Sequence, residues 1–258
     1  MLAFRPMVGL VLFCCCVCAP PLLLDAKTKK KSATDDSALP PEPLPSASPT
    51  PSASPSTKPS PNASPSVAPN ASLSTNELAD FSAQPAKVQK LIADALELTQ
   101  QNLTYIYGSA EPENGGLDCS GFIYHVLKEN GIDGVPRDAS GQYTWVRKAE
   151  NFEAVLSRKK DSFEMEHLQP GDLLFWTNTY STDKDPPVTH TMLYLGKEKK
   201  SGKRVMVGAS DGRSYDGLPR WGVSVFDFKA NNNKKPDPQS MKLAPMFVGY
   251  AAIPGLRE

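Results

Sequence analysis

Apolar residues divide this chain into an N-terminal apolar run, a long polar stretch and a C-terminal region with regular apolar spacing. Apolar side chains recur at helical spacing in residues 84–101 and again from Phe122 to Leu127, and each stretch predicts a helix. Pro85 stands in the first turn of the first helix, where proline is tolerated, and Gly131 stands where the second helix would end. We therefore expect two helices before the main strands.

Apolar runs in the C-terminal half are short and separated by turn residues, which is typical of strands. Pro170 opens a turn that leads into the first of them. The runs cover residues 173–176, 188–196, 204–209, 222–226 and 247–253. Because hairpin-linked strands follow the helices, the order predicts an α+β fold in which N-terminal helices pack on an antiparallel sheet. The stretch Tyr105–Tyr107 is expected to form a short strand or turn with half-buried rings.

The first 26 residues differ from the rest of the chain. Arg5 precedes an apolar run over residues 7–19, and Ala26 offers a small residue for cleavage. The run is too short and too interrupted for a comfortable membrane span. Alternatively, a cysteine of this segment carries a lipid that attaches the protein to a membrane, although the residues before these cysteines fit a lipoprotein signal poorly. We expect residues 1–26 to be a signal peptide or lipoprotein signal, and the protein to be exported to the cell envelope, periplasm or medium.

Residues 27–75 are rich in proline, serine and alanine, and the whole chain has 25 prolines among its 258 residues. Such a segment has too few large apolar side chains to offset the entropy of ordering. We therefore expect a disordered linker there and a single domain over residues 76–258. The 28 basic and 28 acidic residues balance to a net charge of +0. Because no basic footprint results, no nucleic acid partner is expected. The sequence does not indicate an oligomeric state.

Cys119 is the only cysteine outside the N-terminal segment. A single thiol cannot form an intramolecular disulfide or a structural zinc site. The alternative is a structural cysteine that is buried and contributes only to core packing. Here the neighbours Asp118, Ser120 and Gly121 are small and polar, and the second predicted helix starts at this point. Unpaired amides and the helix dipole favour a thiolate at such a position, so we predict a nucleophile with a lowered pKa.

Three histidines are available as its base. His125 lies in the same predicted helix as Cys119 but on a different turn, and His167 precedes a proline turn and is expected to be exposed. His190 opens a predicted strand, where its ring can face the start of the cysteine helix. By elimination His190 is the predicted base, although a histidine at a strand end is more often structural. Because no G-x-S-x-G or H-E-x-x-H motif occurs, a serine hydrolase or zinc enzyme is not expected, nor is any metal or cofactor.

Five ordered segments resemble the successive signatures of the NlpC family of papain-like cysteine peptidases, over residues 85–253. They are Tyr105–Gly108, Asp118–Phe122, Pro136–Arg137, Pro170–Phe175 and His190–Gly196. The resemblance implies a papain-like α+β fold and a bacterial cell-envelope enzyme that hydrolyses amide bonds in peptidoglycan stem peptides. Typical members cut between D-glutamate and the diamino acid that follows it, so stem peptides are the expected partners.

The resemblance also assigns roles by position. Cys119 would be the nucleophile, and His190 the general base that then protonates the leaving amine. Tyr105 matches a tyrosine that lines the substrate groove, and Asp118 and Ser120 match residues that help hold the amino terminus of the substrate. Arg137, in the turn after the cysteine helix, is expected to pair with a carboxylate of the protein or of a substrate.

One position departs from the family pattern. Members usually place a second polar residue, commonly histidine, on the following strand to orient the catalytic imidazole, and Gly208 stands there in this chain. Ser210 and Asp211 are the candidate third members, because Ser210 lies on the same face of a strand and Asp211 follows at its end. A simple turn at this point, with a backbone carbonyl or water orienting the ring, is the alternative. The departure keeps open a weak or inactive wall-binding protein, and an amidase or acyltransferase on the same scaffold is a further alternative.

Overall fold

The computed structural model describes residues 69–157, 159, 162–230 and 244–257. The predicted signal over residues 1–26 and nearly all of the predicted linker lie outside these residues. No helix in the described residues is long and apolar enough to cross a membrane.

The chain alternates short helices with strands before entering a run of strands. The helices are α1 (Ala86–Leu98), α2 (Cys119–Glu129) and α3 (Ala139–Lys148). The strands are β1 (Thr104–Tyr105), β2 (Gly116–Leu117), β3 (Phe152–Ala154), β4 (Leu173–Thr177), β5 (Val188–Lys197), β6 (Arg204–Tyr215), β7 (Leu218–Asp227) and β8 (Met246–Ala251).

The larger sheet has six strands in the order β3-β8-β4-β5-β6-β7, and every neighbouring pair is antiparallel. Strands β1 and β2 form a separate parallel pair that leads from α1 to the start of α2. The predicted class, α+β with helices packed on an antiparallel sheet, is confirmed.

The six-stranded sheet buries both of its faces. The apolar sides of α1 and α2 pack on one face in what we call the first core, with Leu193 and Leu195 of β5. Met192 and Tyr194 belong to the second core on the other face, with Trp176 of β4. This separation follows from the period of two along a strand, which sends successive side chains to opposite faces. The face on which a strand residue lies therefore decides whether it meets α2 or the second core.

The domain begins earlier than the predicted boundary at residue 76. Ala71 and Leu73 are buried in the first core. The Ala71 amide donates to Ser224 Oγ at 2.8 Å, and the Val225 amide donates to the Ala71 carbonyl at 2.9 Å. These bonds run along β7, the last strand of the sheet, so the segment covers an edge that would otherwise expose unpaired backbone groups. The predicted linker therefore ends before Ala71.

Helix α3 and strand β3 were not predicted, and β6 and β7 continue past their predicted ends. Ser210 pairs with Gly222 and Arg213 pairs with Arg220, so Asp211 and Gly212 together face a single residue of β7. This is a β-bulge, and it shifts the alternation of side chains beyond it by one residue.

Candidate active site

The start of α2 is held by the carboxylate of Asp118. As the N-cap of the helix, Asp118 Oδ1 accepts a hydrogen bond from the Gly121 amide at 2.6 Å. Asp118 Oδ2 accepts from the Gly108 amide at 2.7 Å, which ties the preceding loop to the helix. A Cβ at Gly121 would collide with the Ser109 carbonyl oxygen, so this loop and helix approach as closely as only glycine allows. Cys119, the first residue of α2, is thereby fixed in place.

Arg137 completes this arrangement. Its guanidinium binds Asp118 in a two-pronged ion pair, Nη1 to Oδ1 at 3.0 Å and Nη2 to Oδ2 at 2.9 Å. Arg137 Nη1 also donates to Ser120 Oγ at 3.1 Å. Of the two partners expected for Arg137, the structure shows the carboxylate of the protein. Contact of Asp118, Ser120 and Arg137 with a substrate stays a prediction.

The Cys119 thiol lies against strand β5 rather than in open solvent, with 5% of the residue exposed. Its Sγ donates to the Thr189 carbonyl oxygen at 3.9 Å, next to His190 in the chain. Burial, and then the nearby Asp118 carboxylate, raises the pKa of Cys119 to about 11, although backbone amides at Thr191 and Ser120 act in the opposite direction. The prediction of a lowered pKa is therefore wrong, because the cost of burying a charge exceeds the effect of the helix start.

We expect iodoacetamide to alkylate Cys119 slowly at neutral pH, with a rate that rises as the pH approaches 11. The thiolate is the reacting form, and with a raised pKa it is scarce below that range. The rate constant is to be followed by mass spectrometry between about pH 6 and 11, with free cysteine in the same buffers as the reference. If the alkylation rate reaches its plateau at a lower pH than the rate for free cysteine does, the raised pKa is contradicted.

His190 lies on the opposite side of β5 from Leu193 and Leu195. It pairs across strands with Trp176 of the second core, and the two ring centroids are 5.7 Å apart in an edge-on arrangement. Burial, together with the charge of Arg213, lowers the pKa of His190 well below its usual value. The imidazole is therefore neutral at physiological pH. Within the described residues no hydrogen bond joins the ring to Cys119 Sγ.

Arg213, which the sequence did not single out, is the hydrogen-bond partner of the His190 ring. Its Nε donates to His190 Nε2 at 3.2 Å, and its guanidinium carbon lies 4.1 Å from the centroid of the Trp176 ring. Because Nε2 accepts this bond, the single proton of the neutral ring is on Nδ1.

The candidate third members do not take this place. In the described part of the chain neither Ser210 nor Asp211 forms a hydrogen bond with His190, and the guanidinium of Arg213 does so instead. The position expected to hold an orienting residue, Gly208, is crowded by Met192, whose Sδ would lie 3.0 Å from a Cβ added there. The hydrogen bond expected from Ser210 or Asp211 is thus made by Arg213, whose side of the sheet is changed by the bulge in β6. A catalytic role for Ser210 and Asp211 stays a prediction.

A cleft of about 770 Å³ opens above His190. Arg213, Tyr105 and Tyr180 line it, and the exposed Tyr107 stands edge-on to Tyr180 with ring centroids 6.4 Å apart. Burial, followed by the charges of Cys119 and Asp118, raises the pKa of Tyr105, so its phenol remains a hydrogen-bond donor at physiological pH. Ser210 and Asp211 also line this cleft, whereas Cys119 does not. Tyr105 thus lines this cleft, and its contact with a substrate stays a prediction.

The described residues contain no group of histidine, cysteine or acidic side chains arranged to hold a metal ion. The side chains described above offer a thiol, an imidazole, a guanidinium and phenols.

A helix that begins at a cysteine and packs on an antiparallel sheet whose strand carries a histidine has the papain-like order of elements. The model of the NlpC/P60 family matches residues 102–215, which include Cys119, His190 and Arg213. The match spans fewer than half of the residues of the chain, and it confirms the recognition based on the sequence signatures at the level of similarity to this family.

Two curated relatives share part of this domain, and both are named gamma-D-glutamyl-L-lysine dipeptidyl-peptidase. The protein of Bacillus cereus is 33% identical over 94 residues, which cover 36% of this chain and 22% of the relative. The protein of Bacillus subtilis is 29% identical over 133 residues, which cover 48% of this chain and 38% of the relative. The chain thus spans less than half the length of either relative.

A solved structure is also similar. It is the crystal structure of an NLP/P60 family protein from Staphylococcus aureus, described as similar to a lipoprotein, with 26% sequence identity and a TM-score of 0.36. The match covers 56% of this chain and 43% of that one.

Proposed function

We propose that this protein is a cysteine peptidase that hydrolyses amide bonds in peptidoglycan stem peptides, between D-glutamate and the following diamino acid. One observation carries the proposal: in an NlpC/P60 domain, the sulfur at the first residue of α2 lies 3.9 Å from the carbonyl of Thr189, directly before His190. The names of the two relatives support the same bond and substrate class.

In the proposed reaction Cys119 attacks the carbonyl carbon of the scissile amide. The thiol proton passes to the His190 imidazole, and the imidazolium then protonates the leaving amine. The acyl group remains on Cys119 Sγ until water hydrolyses the thioester and regenerates the thiol. In this proposal the backbone N–H groups at the start of α2 bind the oxyanion of the tetrahedral intermediate. The Asp118–Arg137 pair keeps these groups in position without taking part in the chemistry.

The unliganded site is at rest rather than preactivated. Burial raises the pKa of the Cys119 thiol to about 11, and burial together with Arg213 lowers that of His190, so both groups are neutral at physiological pH. A proton must therefore move from sulfur to nitrogen after substrate has bound. This differs from a preformed thiolate–imidazolium pair, in which the charges exist before substrate arrives.

A second candidate is an inactive or weakly active protein that binds the cell wall. The observation in its favour is the hydrogen bond from Arg213 to His190 Nε2, which occupies the lone pair that a base needs. Binding would then rely on the tyrosine-lined cleft, and no bond would be cut.

We further propose that the protein is exported and acts in the cell envelope. The apolar N-terminal run supports export, and the proline-rich stretch up to residue 68 would give the domain reach to the wall. Stem peptides are the proposed partners, with an N-terminal lipid as a possible attachment to the membrane.

The deciding experiment is digestion of defined stem peptides by the purified full chain, followed by mass spectrometry of the products. We expect new termini at D-glutamate and at the diamino acid, and no products with the Cys119→Ala variant. Binding to intact peptidoglycan without cleavage of any stem peptide would favour the second candidate. Products cut at another amide bond would identify a different hydrolase on this domain.

A further inference from the structure

The guanidinium of Arg213 is a charge without a partner of opposite sign. Within the described residues no carboxylate forms an ion pair with it, and its hydrogen bond is the one from Nε to His190. Arg137, by contrast, has both of its terminal nitrogens on Asp118. A guanidinium carries five N–H donors, so the terminal nitrogens of Arg213 remain available to a ligand.

Arg213 forms part of the wall of the cleft. Arg213 is half-buried, lines the cleft together with His190 and Tyr105, and has its guanidinium carbon over the Trp176 ring. Burial lowers the pKa of Arg213 to about 10, so it remains cationic at physiological pH. A half-buried, unpaired cation in a cleft of this size is an expected place for an anionic group of a ligand.

Arg213 also controls the imidazole. A ring can accept the thiol proton only through a nitrogen that has a free lone pair. While Arg213 Nε donates to Nε2, the proton of the ring is on Nδ1, and neither nitrogen can accept another. Protonating the ring in this arrangement would put an N–H against a guanidinium N–H. The same side chain thus occupies a lone pair of the imidazole and has donors that an anionic group could use.

We propose that Arg213 is a carboxylate-responsive lock on His190: it occupies Nε2 until a substrate carboxylate binds the guanidinium and draws it away from the ring. The freed lone pair then accepts the proton of the Cys119 thiol, which gives an imidazolium and a thiolate. No charge is created or lost overall, because the proton only changes place. Arg213 acts here as a positioning residue and as the determinant of substrate charge.

The substrate part of this inference rests on the proposed function. In a γ-linked D-glutamyl peptide the side-chain carboxyl forms the scissile amide, and the α-carboxylate remains free a short methylene spacer away. That carboxylate is the group we assign to Arg213. When it is amidated, as in D-isoglutamine, the substrate is neutral at this point and cannot form the ion pair. The protein should therefore prefer stem peptides with a free D-glutamyl α-carboxylate.

The test reads the state of the ring directly. In the full chain labelled with ¹⁵N-histidine and carrying Cys119→Ala, long-range ¹H–¹⁵N correlations report which nitrogen of His190 holds the proton; the signal is assigned by its loss in His190→Gln. The probes are γ-D-glutamyl-L-lysinamide, its D-isoglutaminyl counterpart with the same C-terminal amide, acetate and acetamide. We expect the Nδ1–H form in the free protein, a change with the two carboxylate probes, and none with the two probes that lack a carboxylate.

Activity gives the second readout. With Cys119 present, we expect kcat/KM for the free α-carboxylate substrate to exceed that for the amidated one about 10- to 100-fold, the range of a charge-assisted hydrogen bond. Arg213→Gln should reduce this preference to within about 3-fold, and Arg213→Lys should keep part of it, because a lysine retains the charge but not the planar fork. Arg147→Gln is the matched control, since Arg147 also lies over an aromatic ring but outside the cleft.

The outcomes separate this inference from the proposed function. An Nε2–H ring in the free protein, or an equal response to carboxylate and amide probes, overturns the lock. If the proton of the His190 ring changes place with acetate but the protein cuts no stem peptide, the lock is supported and the peptidase proposal is wrong. If both substrates are cleaved at equal rates and the proton of the His190 ring does not change place, the peptidase proposal holds. The proposal that Arg213 determines the charge of the substrate is then wrong.

Discussion

Replacing Cys119 with alanine should lower kcat/KM on a defined stem peptide by roughly 10⁴-fold or more, to the level of a blank. The reason is that the proposed reaction needs a covalent acyl intermediate on Sγ, and alanine has no atom that could form it. The measurement is the initial rate of release of the diamino acid product, with folding checked by thermal unfolding. Because the thiol is almost fully buried and touches one carbonyl, the smaller side chain should leave the fold intact.

His190→Gln tests whether the two residues act as one unit. Alone, His190→Gln should lower kcat/KM nearly as much as Cys119→Ala does. The double variant should be no slower than the Cys119→Ala protein, since a base has no function without its nucleophile. His125→Gln is the matched control, because His125 lies in α2 on a turn away from its first residue. Residual cleavage in the Cys119→Ala protein above the blank would show that the thiol is not the nucleophile.

The elements that the sequence predicts well are those with one clear period. Helix α1 and strands β4 and β5 carry apolar side chains at regular spacing, and they lie within a few residues of the predicted bounds. Helix α3 was missed because its half-buried surface is built from Tyr143 and Trp145 among polar residues, which leaves no apolar stripe to detect. The start of the domain was placed too late because Ala71 and Leu73 are isolated apolar residues in a polar stretch.

The sequence brings Cys119 and His190 into one proposed site, but it predicts neither the hydrogen-bond partner of the imidazole nor the pKa of the thiol. The alternation of a regular strand sends Arg213 to the side of Val207 and away from His190. The bulge at Asp211 and Gly212 reverses that side, and no sequence rule places such a bulge. The prediction of a lowered pKa for the thiol was wrong for another reason. A helix start favours the thiolate only when water or hydrogen-bond partners also stabilise it. Burial of Cys119 is a property of the packed structure and cannot be read from its neighbours in the chain.

Asp118→Asn should lower the free energy of unfolding by about 3 kcal/mol, because it removes the charge from a buried ion pair and places an amide N–H₂ against donors. The carboxylate is 8% exposed and receives hydrogen bonds from Gly108, Gly121 and Arg137, so any orientation of the amide leaves some donors unpaired. The measurement is urea unfolding, with the midpoint converted through the slope of the wild-type protein. Activity should also fall, because the loop that carries Tyr105 towards the cleft is tied to α2 through this carboxylate.

Asp138→Asn is the control that separates burial from capping. Asp138 is also the N-cap of a helix and also accepts from the amide of a glycine three residues on, Gly141, at 3.1 Å. Its ion pair with Lys184 is 2.9 Å long, but both side chains are about half exposed. The same substitution should therefore lower the free energy of unfolding by no more than about 1 kcal/mol. If both variants lose the same amount, the cap alone accounts for the effect and the Asp118–Arg137 pair adds nothing. If Arg137→Gln restores stability to Asp118→Asn, the unpaired guanidinium is the cause, since removing this unpaired, partly buried charge is the gain that the second change offers.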